Sequence, residues 1–133
     1  MLAAVACLLA AASCAAPPDR DHTGAYEAMV AWFYGDHPIP ARTFAIDAAS
    51  TGLSDPARLI EALRDDPRYA DHEIIDATRE QLEKRGLIKD LNFEDGFLIE
   101  FFSTGAYGAQ VTARGQIWSS GMAAYAATLT ARP

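Results

Sequence analysis

The chain has 133 residues, half of them apolar, with 18 acidic and 11 basic side chains and a formal net charge of −7. That length supports one core of ordinary size once a leader is set aside, and leaves no room for two comfortable domains. An acidic surface repels phosphate backbones and anionic headgroups, and Lys84-Arg85 is the one local basic pair, so nucleic acid is excluded as an expected partner.

Residues 1–18 carry no charge. Within them the run from Leu2 through Leu8, Leu9 and Ala10 has the length of a signal-peptide core and is too short to cross the ~30 Å hydrocarbon layer as a helix. The tetrad Ala11-Ala12-Ser13-Cys14 resembles the lipobox of bacterial lipoproteins, in which small residues precede a cysteine that takes a lipid on sulfur and becomes the new N-terminus. The family usually has Leu where this chain has Ala11, and Lys or Arg near a start that here reads Met1-Leu2; a start upstream would supply the base. The resemblance implies removal of residues 1–13, lipidation of Cys14, a lipid-attached tether over 14–22, and export to a membrane facing the periplasm or exterior. Two other readings stay open: ordinary cleavage after Ala16, which would leave Pro17 directly behind the cut, and an apolar N-terminal helix buried in the fold. Both cysteines, Cys7 and Cys14, lie in this leader, so the chain beyond it can form no internal disulfide and depends on core burial.

After the proline-bearing connector Pro17-Pro18-Asp19-Arg20-Asp21-His22, the residues Tyr26, Met29, Val30 and Phe33 recur at helical spacing. Thr23 is the expected N-cap, Gly35 the stop, and Trp32 flanks a stripe expected to face the core. Arg42, Phe44 and Ile46 alternate with Thr43, Ala45 and Asp47, which predicts a strand. Asp55-Pro56 opens a second helix with Leu59, Ile60 and Leu63 on its apolar side. Asp71 is expected to cap a third, carrying Ile74, Ile75, Thr78 and Leu82 and ending at Lys84-Arg85-Gly86, where Leu87 packs back on Leu82. Residues 97–102, 109–118 and 122–130 then read as strands joined by turns at 105–108 and 119–121, an antiparallel meander in which Gly115 marks a bulge or bend. Phe97, Ile99 and Phe101 share one face of the first of these strands, and Leu98, Glu100 and Phe102 the other; both faces are apolar enough to be covered. In the last strand the small side chains of Ala124, Ala126 and Thr128 would let a helix approach, opposite Tyr125, Ala127 and Leu129. Helices first and a meander last predict a single α+β domain over residues 23–133, amphipathic helices packed on an antiparallel C-terminal sheet.

Each histidine follows an aspartate, as Asp21-His22, Asp36-His37 and Asp71-His72, yet no His-x-His or His-x-x-x-His spacing accompanies them. They read as exposed polar pairs, with Asp71 used as a cap, and no metal or cofactor is expected. Ser103, Ser119 and Ser120 sit beside glycines without a nucleophile elbow, and 103–108 lacks the lysine of a phosphate loop. Glu100, between Leu98 and Phe102, and His37 remain as the weak catalytic candidates, an edge-exposed glutamate being the commoner outcome. The order of elements over residues 23–130 is similar to the cone-shaped α+β domains of the nuclear-transport-factor-like and cystatin-like superfamilies. That likeness implies a pocket between helices and sheet, lined by Tyr26, Phe33, Phe101 and Trp118.

The leading expectation is a lipid-anchored cell-envelope protein whose domain binds another envelope protein or a small ligand and does no chemistry. A small pocket enzyme with Glu100 or His37 as general base is the alternative, and an inhibitory or structural envelope module is a third. A deep pocket holding Glu100 or a histidine would favour the enzyme, whereas an exposed aromatic patch would favour protein binding.

Overall fold

The computed structural model describes residues 21–120 and 123–132; the leader 1–13, Cys14, the tether up to residue 20, and Gly121 and Met122 lie outside the described residues. Helix α1 spans Thr23–Tyr34 and buries Tyr26, Met29, Val30 and Phe33 as the spacing predicts. Thr23, expected as the cap, is instead the first helical residue: His22 takes the cap position without a side-chain cap bond, and Asp21 Oδ1 accepts from the Thr23 backbone N–H at 3.0 Å and from the Thr23 hydroxyl. These two hydrogen bonds, that from the hydroxyl first, hold the exposed Asp21 carboxyl below its ordinary pKa. Gly35, at φ +82°, ends the helix.

Strand β1 (Thr43–Ile46) leads through helix α2 (Pro56–Asp65) to strand β2 (Glu73–Asp76), which pairs with β1 in parallel. Parallel neighbours require a crossover of this kind, and α2 supplies it. This overturns the expected third helix over Ile74 and Ile75. The two adjacent isoleucines point to opposite faces of the sheet and pack against different apolar clusters, which a strand permits and one helix stripe does not. Asp71 therefore caps nothing. The true cap is Thr78, in a reciprocal box with Gln81, and it opens the short helix α3 (Arg79–Lys84). The helix end is as predicted. Gly86 N–H bonds Glu83 O and Leu87 N–H bonds Leu82 O, both at 3.0 Å, a Schellman closure with Gly86 at φ +73°. Glu80 and Lys84 pair at 3.3 Å on the exposed side.

Two short strands unforeseen from the sequence, β3 (Ile88–Lys89) and β4 (Asn92–Phe93), form a hairpin before the meander of β5 (Gly96–Tyr107), β6 (Gln110–Ser120) and β7 (Ala123–Ala131). The sheet order is β2-β1-β5-β6-β4-β3, with β7 paired to β6. The sheet is mixed, since β1 pairs with β5 in parallel, Ile46 opposite Ile99. It curls into a half-barrel, and the fold is α+β and cone-like.

Where β2, β1 and β5 run parallel, both faces are covered. Phe44, Ile46, Phe97 and Ile99 pack beneath α1 and α2, while Ala45, Leu98 and Trp118 pack against Leu82 of α3, Ile88 and Phe93. This double coverage is why residues 97–101 read as an almost continuous apolar run. Beyond residue 101 only the α1 face stays covered. There Ala127, Leu129 and Ala131 pack towards α1, and the Ala124, Ala126 and Thr128 face, expected to receive a helix, is exposed. The covered side is the one that continues Val111 and Ala113 of β6, so the bulkier Leu129 adds to an existing core.

The bulge predicted at Gly115 lies on the opposite strand: the register shifts between Phe101 and Ser103, leaving Phe102 out at 56 % exposure. Gly115 is the position the bulge closes upon, since a Cβ there would stand 2.8 Å from the Phe101 ring and 2.9 Å from Glu100 O. Gly96 is tighter still, with the buried Phe93 ring 2.0 Å from where its Cβ would be. Gly96→Ala is expected to lower the urea midpoint by an amount equivalent to about 1–3 kcal/mol, the usual range for overpacking a filled core. An unchanged midpoint would mean that Phe93 can swing clear.

Candidate functional site

Three of the four aromatic residues expected around a pocket lie together in the core. Tyr26 meets Phe101 edge-on at 5.1 Å between ring centroids and Phe33 stands 6.4 Å from Phe101, all three between α1 and β5 and under 10 % exposed. Their rings occupy that space. Trp118 lies on the opposite face of the sheet, beside Leu98 and Leu82. Tyr26 lines a cleft of about 370 Å³ at the start of α1, bounded by Asp21, Thr51, Arg58, Thr104 and Val111. Its hydroxyl donates to Thr51 O at 2.9 Å, burial raises its pKa, and Arg58 is held across the mouth by Asp21 at 2.9 Å.

Glu100 is not edge-exposed. Its side chain is 13 % accessible, on the α3 side of β5, and its Oε1 accepts from Arg79 Nη2 and Gln116 Nε2, each at 2.6 Å. The Arg79 guanidinium also lies 4.5 Å from the Trp118 ring centre. Arg79 comes from the first turn of α3, so this ion pair fixes that helix to the sheet, and the carboxylate oxygen is already engaged by two donors. A general base needs an open approach to its proton donor, which this arrangement does not offer at Oε1.

Two further carboxylates stand near Glu100, at the ends of the parallel strands: Asp76 closes β2 and Asp47 follows β1. Asp76 Oδ1 accepts from Ala48 N–H at 3.2 Å, and Asp47 Oδ1 from Ser50 N–H at 3.3 Å. Burial, and to a smaller extent Glu100 and Asp76, push the Asp47 carboxyl above its ordinary pKa of 3.8. The folded state therefore holds this proton more tightly than the unfolded chain does. Its contribution to stability falls as pH rises from about 3.8 through the raised value. Asp47→Asn, which keeps an acceptor for Ser50, is expected to raise the urea midpoint at pH 7 and leave it little changed near pH 3. A lower midpoint at pH 7 would refute that account.

The histidines separate. His37 is exposed in the segment after α1 and shares no cleft with Glu100. His22 is the residue that precedes α1. His72 departs from the expected exposed pair: it is half-buried, with Nδ1 2.6 Å from Ala41 O and Nε2 2.8 Å from Tyr34 Oη. Because a carbonyl only accepts, Nδ1 carries the proton and donates to Ala41. Nε2 shares a hydrogen bond with the Tyr34 hydroxyl, whose oxygen also accepts from Ile39 N–H at 3.3 Å. The chain of bonds ties the segment between α1 and β1 to β2, which is a structural use. Among the described residues no group of three or more His, Cys, Asp or Glu is placed to hold a metal.

The remaining feature is the outer half of the meander. On the side facing away from α1, Ser103 lies opposite Arg114, which lies opposite Thr128, and Thr112 bonds Thr130 at 3.0 Å between hydroxyls. These side chains are exposed or half-buried, and no helix among the described residues covers them. All 18 acidic residues precede residue 101, so the chain from residue 101 on, which holds the outer half of the meander, carries only Arg114 and Arg132 as charges in a chain of net charge −7. Along its α1 side the Trp32 and Tyr125 rings lie 5.7 Å apart and are 50 % and 59 % exposed. Trp32 thus leaves the core stripe it was expected to flank. In comparison with known proteins, the chain matches no protein-family model, no curated protein and no solved structure.

Proposed function

We propose that the chain is a lipid-anchored binding module of the cell envelope, tethered through Cys14 and presenting the uncovered half of β5–β7 to another protein. The observation that carries the binding part is the charge and exposure of that surface. Its outer face is hydroxyl-rich and free of carboxylates, and the Trp32–Tyr125 pair lies exposed on the α1 side of the same edge strand. Exposed aromatic residues at the edge of a sheet suit a protein interface, where rigid rings contribute contact area at low entropic cost. The filled space around Tyr26, Phe33 and Phe101 speaks for binding over pocket chemistry. No helix among the described residues is long and apolar enough to cross a membrane, and the leader with Cys14 supplies the attachment in this reading.

The two parts are tested together in bacterial cells grown with a palmitate analogue. Wild type is expected to take the label and Cys14→Ser to lose it; equal labelling of both removes the anchor from the proposal. A photo-crosslinking residue at Ser103 is expected to give a discrete adduct that the same residue at Glu61 of α2 does not. Equal adducts, or none, remove the binding surface.

A further inference from the structure

Strand β7 leaves one edge open. Among the described residues it hydrogen-bonds β6 alone, in a register that runs unbroken from Val111 opposite Ala131 to Trp118 opposite Ala124. Natural sheets blunt such edges with lysine, proline, bulges or very short strands. Ala123–Ala131 is nine residues long and contains no charge, proline or glycine, and apart from a register irregularity at its start, opposite Trp118 and Ser120, it pairs regularly from Ala124 to Ala131. Its outward N–H and C=O groups are a template for another strand.

We propose that a second copy of this chain fills that edge, β7 pairing with β7 antiparallel about Ala127. Charge favours a copy of the same chain. Two molecules of net charge −7 repel wherever carboxylates face each other, and β6 and β7, which contain no acidic residue, form an edge where they meet without such opposition. The strand is also complementary to itself. Centred on Ala127, the pairing sets Tyr125 opposite Leu129 of the other copy, twice, on the α1 side. Tyr125 is 59 % exposed and Leu129 half-buried, so an aromatic–aliphatic cross-strand pair would cover both and extend the Trp32–Tyr125 contact. On the other side Ala124 meets Thr130 and Ala126 meets Thr128, small side chains that let the strands close fully. Antiparallel pairing of identical edges places the two-fold axis normal to the sheet, so both uncovered faces lie on the same side of the pair. The dimer would double the proposed binding platform, yet its formation requires neither a lipid nor a partner.

The described residues contain no cysteine, so single substitutions report the register directly. Ala127→Cys in the full chain, treated in cells with a mild oxidant, is expected to give a disulfide-linked homodimer, because directly opposed Cβ atoms lie about 4.5–5.5 Å apart. Ala124→Cys and Thr130→Cys are each expected to give none alone and a mixed dimer when co-expressed. Adding Ala126→Lys with Thr128→Lys places lysine opposite lysine in two rows on exposed side chains and is expected to reduce the Ala127→Cys dimer at least tenfold. Absence of the Ala127→Cys dimer, an equal yield from Glu61→Cys, insensitivity to the paired lysines, or a cross-link to a different protein would each overturn the proposal. A dimer in the parent chain carrying only Cys7 and Cys14 would mean that Cys14 is unlipidated, which counts against the anchor and leaves the β7 register test intact.

Discussion

Phe97→Ala is expected to lower the unfolding free energy by about 3–5 kcal/mol, the usual cost of removing a fully buried phenylalanine from a core. Phe97 is 1 % exposed on the central parallel strand β5, stacked on Phe44 at 4.7 Å between centroids, with Tyr34 and His72 against its other sides. These neighbours belong to α1, β1 and the start of β2. A cavity there cannot be closed by moving one element, because the strands are fixed on both sides by parallel pairing with β1 and antiparallel pairing with β6. A domain without disulfides has only about 5–15 kcal/mol of net stability to lose. The variant should therefore unfold at a much lower urea concentration, with loss of His72 packing visible by NMR. A cost below about 1 kcal/mol would show that the site collapses and that the core is less close-packed than its burial implies.

The second large effect concerns the ion pair that joins α3 to the sheet. Arg79→Ala leaves Glu100, 13 % accessible, with Gln116 as its remaining donor. The expected cost is about 2 kcal/mol, smaller than the ~3–5 of a fully buried broken pair because the Arg79 side chain is 35 % exposed. Replacing both residues by leucine is expected to restore stability to within about 1 kcal/mol of wild type, since the penalty comes from the stranded charge more than from the missing contact. Urea denaturation of the two variants decides it. If Arg79→Ala were neutral, Glu100 would have to be hydrated, and its availability as a base would need to be reconsidered.

Several elements were legible because their signals act within a few residues. The Tyr26, Met29, Val30, Phe33 spacing, Pro56 behind Asp55, and Gly86 behind Lys84-Arg85 each satisfy backbone groups or bury a stripe locally, and α1, α2 and the end of α3 stand where these place them. Strand β2 was misread for the converse reason. Isoleucines at 74 and 75 fit a helix or a strand equally by composition, and only pairing with β1 chose between them. At the candidate site, the position of Glu100 among apolar neighbours hinted at partial burial. Its partner Arg79 lies 21 residues away on another element and left no trace in local spacing. The Trp32–Tyr125 pair was likewise invisible, because it forms between the first helix and the last strand.

By itself the sequence determined the quantities that do not depend on contact. They are an uncharged stretch over residues 1–18 that contains both cysteines, a net charge of −7 with every acidic residue before residue 101, and the stops at Gly35 and Gly86 that end two of the helices. Tertiary structure alone decided the parallel placement of β1 between β2 and β5, the filling of the space around Phe101, and which side of β7 faces α1. The reason is physical. Capping and turn preferences are fixed by hydrogen bonds spanning a handful of residues, whereas the choice of covered face depends on where distant apolar surface is already being buried, and on β7 that surface was the one begun by Val111 and Ala113.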